Sequence, residues 1–228
     1  MPAKHTPAGP ATETADTPAG PARITWHRPP RGTAARGVLA LGHGAGGGIE
    51  ARDLVALAAA LPPRGVAVAL VEQPWRVAGH RLAPAPKTLD AGWAGLWPAL
   101  AAPGLPVVAG GRSAGARVAC RTAGELGAAA VLALAFPLHP PGRPEKSRAA
   151  ELTAAAEALP LLGVQGGRDT FGHPAEFPPG HVPVEVPDAD HGFAVPKRAD
   201  TTQEEALRLL TDAAGDWLTG LGLAAPAA

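Results

Sequence analysis

Short runs that are apolar at nearly every position recur along this chain, and a stretch with helical spacing follows most of them. "RGVLALGHG" (residues 36–44) leads through glycines into "IEARDLVALAAAL" (49–61). "GVAVALVE" (65–72) precedes "TLDAGWAGLWPAL", a helix that Pro98 is expected to bend or end. "PVVAGGRS" runs into "AGARVACRTAGELG", and "AAVLALAF" (129–136) is followed at a distance by "SRAAELTAAAEAL". "LPLLGVQGG" and "HVPVEVP" read as the last strands, and "TQEEALRLLTDAAGDWLTGL" as an amphipathic closing helix. A strand apolar on both sides must be covered on both faces. Its alternation with helices therefore predicts an α/β fold with a mostly parallel, doubly wound sheet. In such sheets ligands sit beyond the carboxyl ends of the strands, so the residues just after each strand carry the functional question.

The chain has 228 residues, enough for one large domain. We place that domain at residues 23–221, opening on "RITWHRP" as a short strand. Residues 1–22, "MPAKHTPAGPATETADTPAGPA", are rich in Pro, Ala and Thr and lack the apolar core of a secretory signal, so a disordered tail is expected. Residues 222–228 are expected to fray. Lys+Arg and Asp+Glu both number 20, which removes any electrostatic case for nucleic acid or an anionic membrane surface. No apolar run approaches the ~18 residues needed to span a bilayer, so the expected location is the cytoplasm. The single cysteine, Cys120, excludes an internal disulfide and reads as a small buried hydrophobe. No ligand spacing such as H-E-x-x-H suggests a metal, and no cofactor is expected.

Serine is nearly absent: only Ser113 and Ser147 occur. A default turn residue therefore explains Ser113 poorly. It stands in Gly111-Arg112-Ser113-Ala114-Gly115, a G-x-S-x-G between an apolar strand and an Ala-rich helix. That is the nucleophile elbow, a tight turn whose neighbours must lack bulk and which projects the hydroxyl at a helix N-terminus. A serine nucleophile needs a base. Of eight histidines, His191 in "PDADHGFAV" follows the last strand, where the base would meet the elbow. The base in turn needs a carboxylate to hold its tautomer. Asp169, in "VQGGRDTFG", follows the penultimate strand; Asp188 and Asp190 are rivals.

An oxyanion hole completes the set. One donor is expected from the N–H of Ala114 and the other from the glycine loop "LGHGAGGGIE", at Ala45 or next at Gly46. Trp75, His139 and Phe171 follow three different strands and are expected to line the substrate site, while Arg112 is expected to anchor the elbow. The stretch after Phe136 is roughly a dozen residues, too short for a helical cap. An open site without a large lid follows, suited to a small soluble acyl substrate.

With these residues in place, "HGAGGG", "GGRSAG", "GGRDTFG" and "DADHGF" resemble four landmarks of the α/β-hydrolase superfamily, in its chain order. "FPLHPPGRPEKSR" (136–148) and "RDTFG" further resemble a subgroup of small bacterial hydrolase-like proteins. That subgroup is related to the testis-expressed and NSL-complex α/β-hydrolase-like proteins of animals. It is similar in size to the dienelactone hydrolases, whose nucleophile is typically cysteine. The resemblance implies ester, thioester or amide hydrolysis through an acyl-enzyme and leaves the oligomeric state unknown. Two alternatives stand beside it. One is a non-catalytic interaction module on the same fold. The other is a dinucleotide-binding protein, because residues 42–47 also fit G-x-G-x-x-G and Glu72 ends the next strand.

Overall fold

The computed structural model describes residues 10–227. Eight strands form one sheet in the order β1-β2-β4-β3-β5-β6-β7-β8. They are β1 (Ala11–Thr17), β2 (Gly20–His27), β3 (Gly37–Gly42), β4 (Val66–Glu72), β5 (Val107–Arg112), β6 (Ala130–Leu134), β7 (Leu161–Gly166) and β8 (Val184–Val186). From β4 to β8 all pairings are parallel, whereas β1 and β2 join antiparallel.

Alternate residues of each parallel strand feed two cores. In β3, Val38 and Ala40 face one side and Leu39 and Leu41 the other, all fully buried. The first core takes Trp93, Leu96 and Leu100 of α3 (Pro86–Ala101), with α4 (Ala114–Thr122) and Leu152 of α5 (Ala149–Ala158). The second takes Leu54 and Leu57 of α1 (Arg52–Ala60), and Leu210 and Leu218 of α6 (Gln203–Gly220). A short helix, α2 (Pro74–Val77), follows β4. Both faces of the sheet are thus covered, as the apolar runs require.

Three expectations change. Residues 11–22 are paired strand rather than tail; residues 1–9 lie outside the described part. Alternating Thr12, Thr14 and β-branched partners on β2 suit a pleated edge, Thr17 Oγ1 donates to Gly20 O to close the turn, and Trp26 Nε1 donates to Glu13 Oε1 at 2.8 Å. At the other end Leu223 and Ala224 are buried, and Ala225 exchanges hydrogen bonds with Arg64, its N–H to Arg64 O and its carbonyl from Arg64 Nε. The chain is therefore docked there, through Leu223 against the second core, rather than frayed. Finally, of the two outcomes expected at Pro98, ending is excluded, because α3 continues through it to Ala101. No helix among the described residues is long and apolar enough to cross a membrane.

Candidate active site

The elbow is built where β5 meets α4. Ser113 sits at φ 53°, in the left-handed region that L residues avoid, at a cost on the order of 1–3 kcal/mol. Both flanking glycines are sterically required. A Cβ on Gly111 would lie 2.6 Å from the Gly42 carbonyl oxygen, and one on Gly115 would collide with that same oxygen. The turn is held from the other side by Ser113 N–H donating to Leu134 O at 2.9 Å. The strained serine thus stands at the end of β5, between the ends of β3 and β6.

Two side chains from two further loops line up on it. His191 Nε2 lies 2.9 Å from Ser113 Oγ, and His191 Nδ1 lies 2.8 Å from Asp169 Oδ2. A carboxylate only accepts, so Nδ1 carries the proton and Nε2 is free to accept from the serine. Asp169 is fully buried. Its Oδ2 also accepts from Gln165 Nε2 at 2.8 Å and its Oδ1 from the Phe171 N–H at 2.8 Å. Gln165, on β7, is wholly interior and escaped the sequence reading, because nothing in "LLGVQGG" distinguishes a carboxylate clamp from a strand residue. The rival carboxylates are occupied elsewhere. Asp188 Oδ2 accepts from the Thr201 N–H, and Asp190 Oδ1 accepts from the Gly192 and Ala194 N–H groups.

The glycine loop lies against the elbow: a Cβ on Gly44 would sit 3.4 Å from Ser113 Cβ. The N–H groups of Ala45 and Ala114 donate to nothing among the described residues. Helix α1 begins only at Arg52, so residues 42–47 do not open into a helix as a dinucleotide fingerprint does. Deep in the loop, His43 Nδ1 donates to Gly44 O at 2.9 Å and Nε2 accepts from the Gln73 N–H at 3.3 Å. Burial lowers the pKa of His43 and favours this neutral imidazole.

Arg112 ties the parts together. Its Nη2 donates to His191 O at 3.1 Å, its Nη1 lies 2.6 Å from where a Gly44 Cβ would be, and its Nε is 3.7 Å from Asp53 Oδ2. Asp53, on α1, is fully buried and neither carboxylate oxygen has a hydrogen-bond partner. Burial raises its pKa, opposed by Arg112. Anchoring by Arg112 was expected, but Asp53 was not, since only the fold brings residues so far apart together.

Of the expected lining residues, Trp75 packs beside His43, ring centroids 5.4 Å apart, with 7% of its surface exposed. Phe171 stacks on the imidazole of His191 at 4.1 Å and 28°, so it touches the histidine itself. His139 corrects the expectation. It is buried, with Nδ1 at 2.9 Å from Pro140 O and Nε2 at 3.3 Å from Glu176 Oε2, and so has no free edge for a substrate. The residues joining β6 to α5 contain only a single 3-10 turn, Pro144–Lys146, and no helical cap.

A family described as "alpha/beta hydrolase domain" matches residues 35–219. The chain belongs to this family. Solved structures agree with this α/β-hydrolase domain in fold. A serine hydrolase without lid from Xanthomonas campestris superposes with TM-score 0.70 at 19% identity, covering 99% of this chain and 100% of its own. The dienelactone hydrolase of Anabaena variabilis gives 0.69 at 20%, covering 95% and 99%. Esterase 2 of Thermogutta terrifontis, phosphorylated by paraoxon, gives 0.65 at 16%, covering 97% and 98%. Among curated proteins no relative matches.

Proposed function

We propose that this hydrolase-fold chain is a serine hydrolase that cleaves a small soluble ester or thioester through an acyl-enzyme on Ser113. The observation that carries the reading is the unbroken hydrogen-bonded chain Ser113–His191–Asp169 at 2.9 and 2.8 Å, on a strained elbow beside two unengaged N–H groups. In the first step Ser113 Oγ attacks the carbonyl carbon as His191 Nε2 takes the hydroxyl proton, and the carbonyl π electrons move onto oxygen. The N–H groups of Ala45 and Ala114 receive that oxyanion. Collapse expels the alcohol or thiol, which leaves with the proton from His191. Water then repeats the sequence on the acyl-enzyme, releasing the acid and restoring Ser113. Asp169, fixed by Gln165 and the Phe171 N–H, holds the tautomer throughout.

The finer kinship with the small bacterial hydrolase-like subgroup belongs to the same proposal. Its support is the segment 136–148, where Arg148 uses both ends to hold the post-β6 loop: its N–H donates to Leu138 O and its Nη1 to Pro137 O.

The test is covalent. Folded protein treated with a fluorophosphonate should gain one adduct on the peptide holding Ser113, and Ser113→Ala should gain none. Hydrolysis of a panel of p-nitrophenyl and thioester acyl chains should follow the same pattern. Absence of both adduct and hydrolysis in folded wild type would return the chain to a non-catalytic role.

A further inference from the structure

Gln73 turns the chain from β4 into α2, and its backbone is pinned by its N–H to His43 Nε2. Gln73 is 4% exposed, and its Oε1 is fully buried without a hydrogen-bond partner. Buried amides are nearly always paired, because leaving one unpaired forfeits its hydration without return. Gln73 is also not sealed in a core. It forms, with Trp75, the common wall of two adjoining cavities. The smaller, about 10 Å³, reaches Ala114 and Val118 beside the elbow. The larger, about 240 Å³, lies between Ala19 of the β1–β2 turn, Ala78 after α2, and Thr88 of α3. It has room for a group of on the order of ten heavy atoms.

Resting on the hydrolase reading above, we propose that this cavity is the acyl subsite and that it selects a small acyl group carrying a hydroxyl, which pairs with the Gln73 amide. Three observations converge. The smaller cavity abuts Ala114, whose N–H would bind the carbonyl oxygen, so the acyl arm lies on this side. Apart from Gln73, His80 and Thr88, the wall is Ala, Pro and Trp, and a few placed polar groups in an apolar wall fix orientation and specificity. A hydroxyl both donates and accepts, so it can pair with whichever end of the amide faces the cavity, whereas a purely apolar chain leaves Gln73 unpaired. The N-terminal hairpin then has a role as part of the acyl wall, through Ala19.

The experiment compares p-nitrophenyl phenylacetate with its para-hydroxy counterpart, and p-nitrophenyl hexanoate with its ω-hydroxy counterpart. Wild type should prefer the hydroxylated member of at least one pair by about tenfold in kcat/KM. In Gln73→Met, similar in bulk, the ratio should fall to near one, chiefly because the hydroxylated ester slows. In parallel, the matching methyl ketones are titrated into Ser113→Ala and followed by tryptophan fluorescence, with Trp75 as the reporter in the wall. The hydroxylated ketone should bind tighter by a similar factor. Equal binding of the paired ketones, or equal hydrolysis of both paired esters, overturns the subsite even where esters are turned over. Discrimination among ketones with no ester hydrolysis by wild type would instead sink the hydrolase reading and keep the subsite. The ketone measurement needs no Gln73 variant, so a folding defect in Gln73→Met does not blunt it.

Discussion

Two histidine–carboxylate pairs stand at the same edge of the sheet, and only one has the geometry that the proposed hydrolysis needs. His191 and Asp169 meet at 2.8 Å with the carboxylate fully buried, while His139 and Glu176 meet at 3.3 Å with the Glu176 side chain 42% exposed. The difference that matters lies on the far nitrogen. His191 turns Nε2 to a hydroxyl that can give up a proton, whereas His139 turns Nδ1 to the Pro140 carbonyl, which can only accept. In the proposed mechanism the first pair is a relay with an open end, whereas the second is a clasp between the post-β6 loop and the loop after β7. A histidine beside an acid is thus no sign of a base until its other nitrogen is accounted for.

Changes at the two pairs should therefore diverge widely. Asp169→Asn should lower kcat by on the order of 10³–10⁴-fold, because Asn presents an N–H to Nδ1 and favours the wrong tautomer. Ser113→Ala should do at least as much. His139→Asn should leave kcat within a few-fold of wild type, since it touches neither reacting atom nor Ser113. Steady-state kinetics on one p-nitrophenyl ester, with circular dichroism to check folding, decides between them. Similar losses in His139→Asn and Asp169→Asn would make the clasp part of the relay.

Arg112 separates stabilising from catalytic roles on the relay's side. Arg112→Met leaves the fully buried Asp53 without its cation, and breaking such a pair costs about 3–5 kcal/mol, lessened here by the 3.7 Å separation. Asp53→Asn in the same chain should recover a large part of the stability in urea unfolding. It should not recover kcat fully, because the hydrogen bond from Arg112 to His191 O is still missing. Recovery of both would mean that Arg112 serves the fold alone.

Much of this relay was legible in the sequence, and the reason is local. Ser113, Asp169 and His191 each follow a recognisable strand, and a parallel sheet delivers such residues to one edge. Partners chosen by three-dimensional packing were not legible. Gln165 looks like any strand residue, Asp53 like any first-turn acid of a helix, and His139 occupies a site-like position with a clasp's hydrogen bonds. The hairpin of residues 11–22 was hidden for a different reason. Its Pro, Ala and Thr content suggests a tail, and only cross-strand contacts such as Trp26 to Glu13 make it a strand.

The clasp itself should respond weakly and in a defined pH window. Glu176 has its pKa lowered, first by the His173 N–H and with help from His139. A carboxylate with a depressed folded value contributes stability above its unfolded value and loses it as pH falls through the folded one. Glu176→Gln should thus cost less than about 1 kcal/mol at neutral pH, given its exposure, and the gap to wild type should close in acid. A gap that widens on acidification would contradict the clasp.

The smallest expected effect concerns a third histidine at this edge, His43, which has no carboxylate partner. It is held neutral between the Gly44 carbonyl and the Gln73 N–H, and burial lowers its pKa from the ordinary value of 6.5. Here the unfolded chain binds the proton more readily than the folded one. Stability from this group is therefore complete above about pH 6.5 and declines as pH falls from there towards the folded value. His43→Asn keeps a donor for Gly44 O and cannot titrate. Its stability curve should run below wild type at pH 8, through the lost bond from Gln73, and approach it between pH 6.5 and 5. His27, whose pKa burial also lowers, is present in both proteins and cancels in the difference. Urea midpoints across that range measure the convergence. Curves that stay parallel would show that His43 accepts its proton without cost, and that the glycine loop beside Ser113 does not depend on its neutral form.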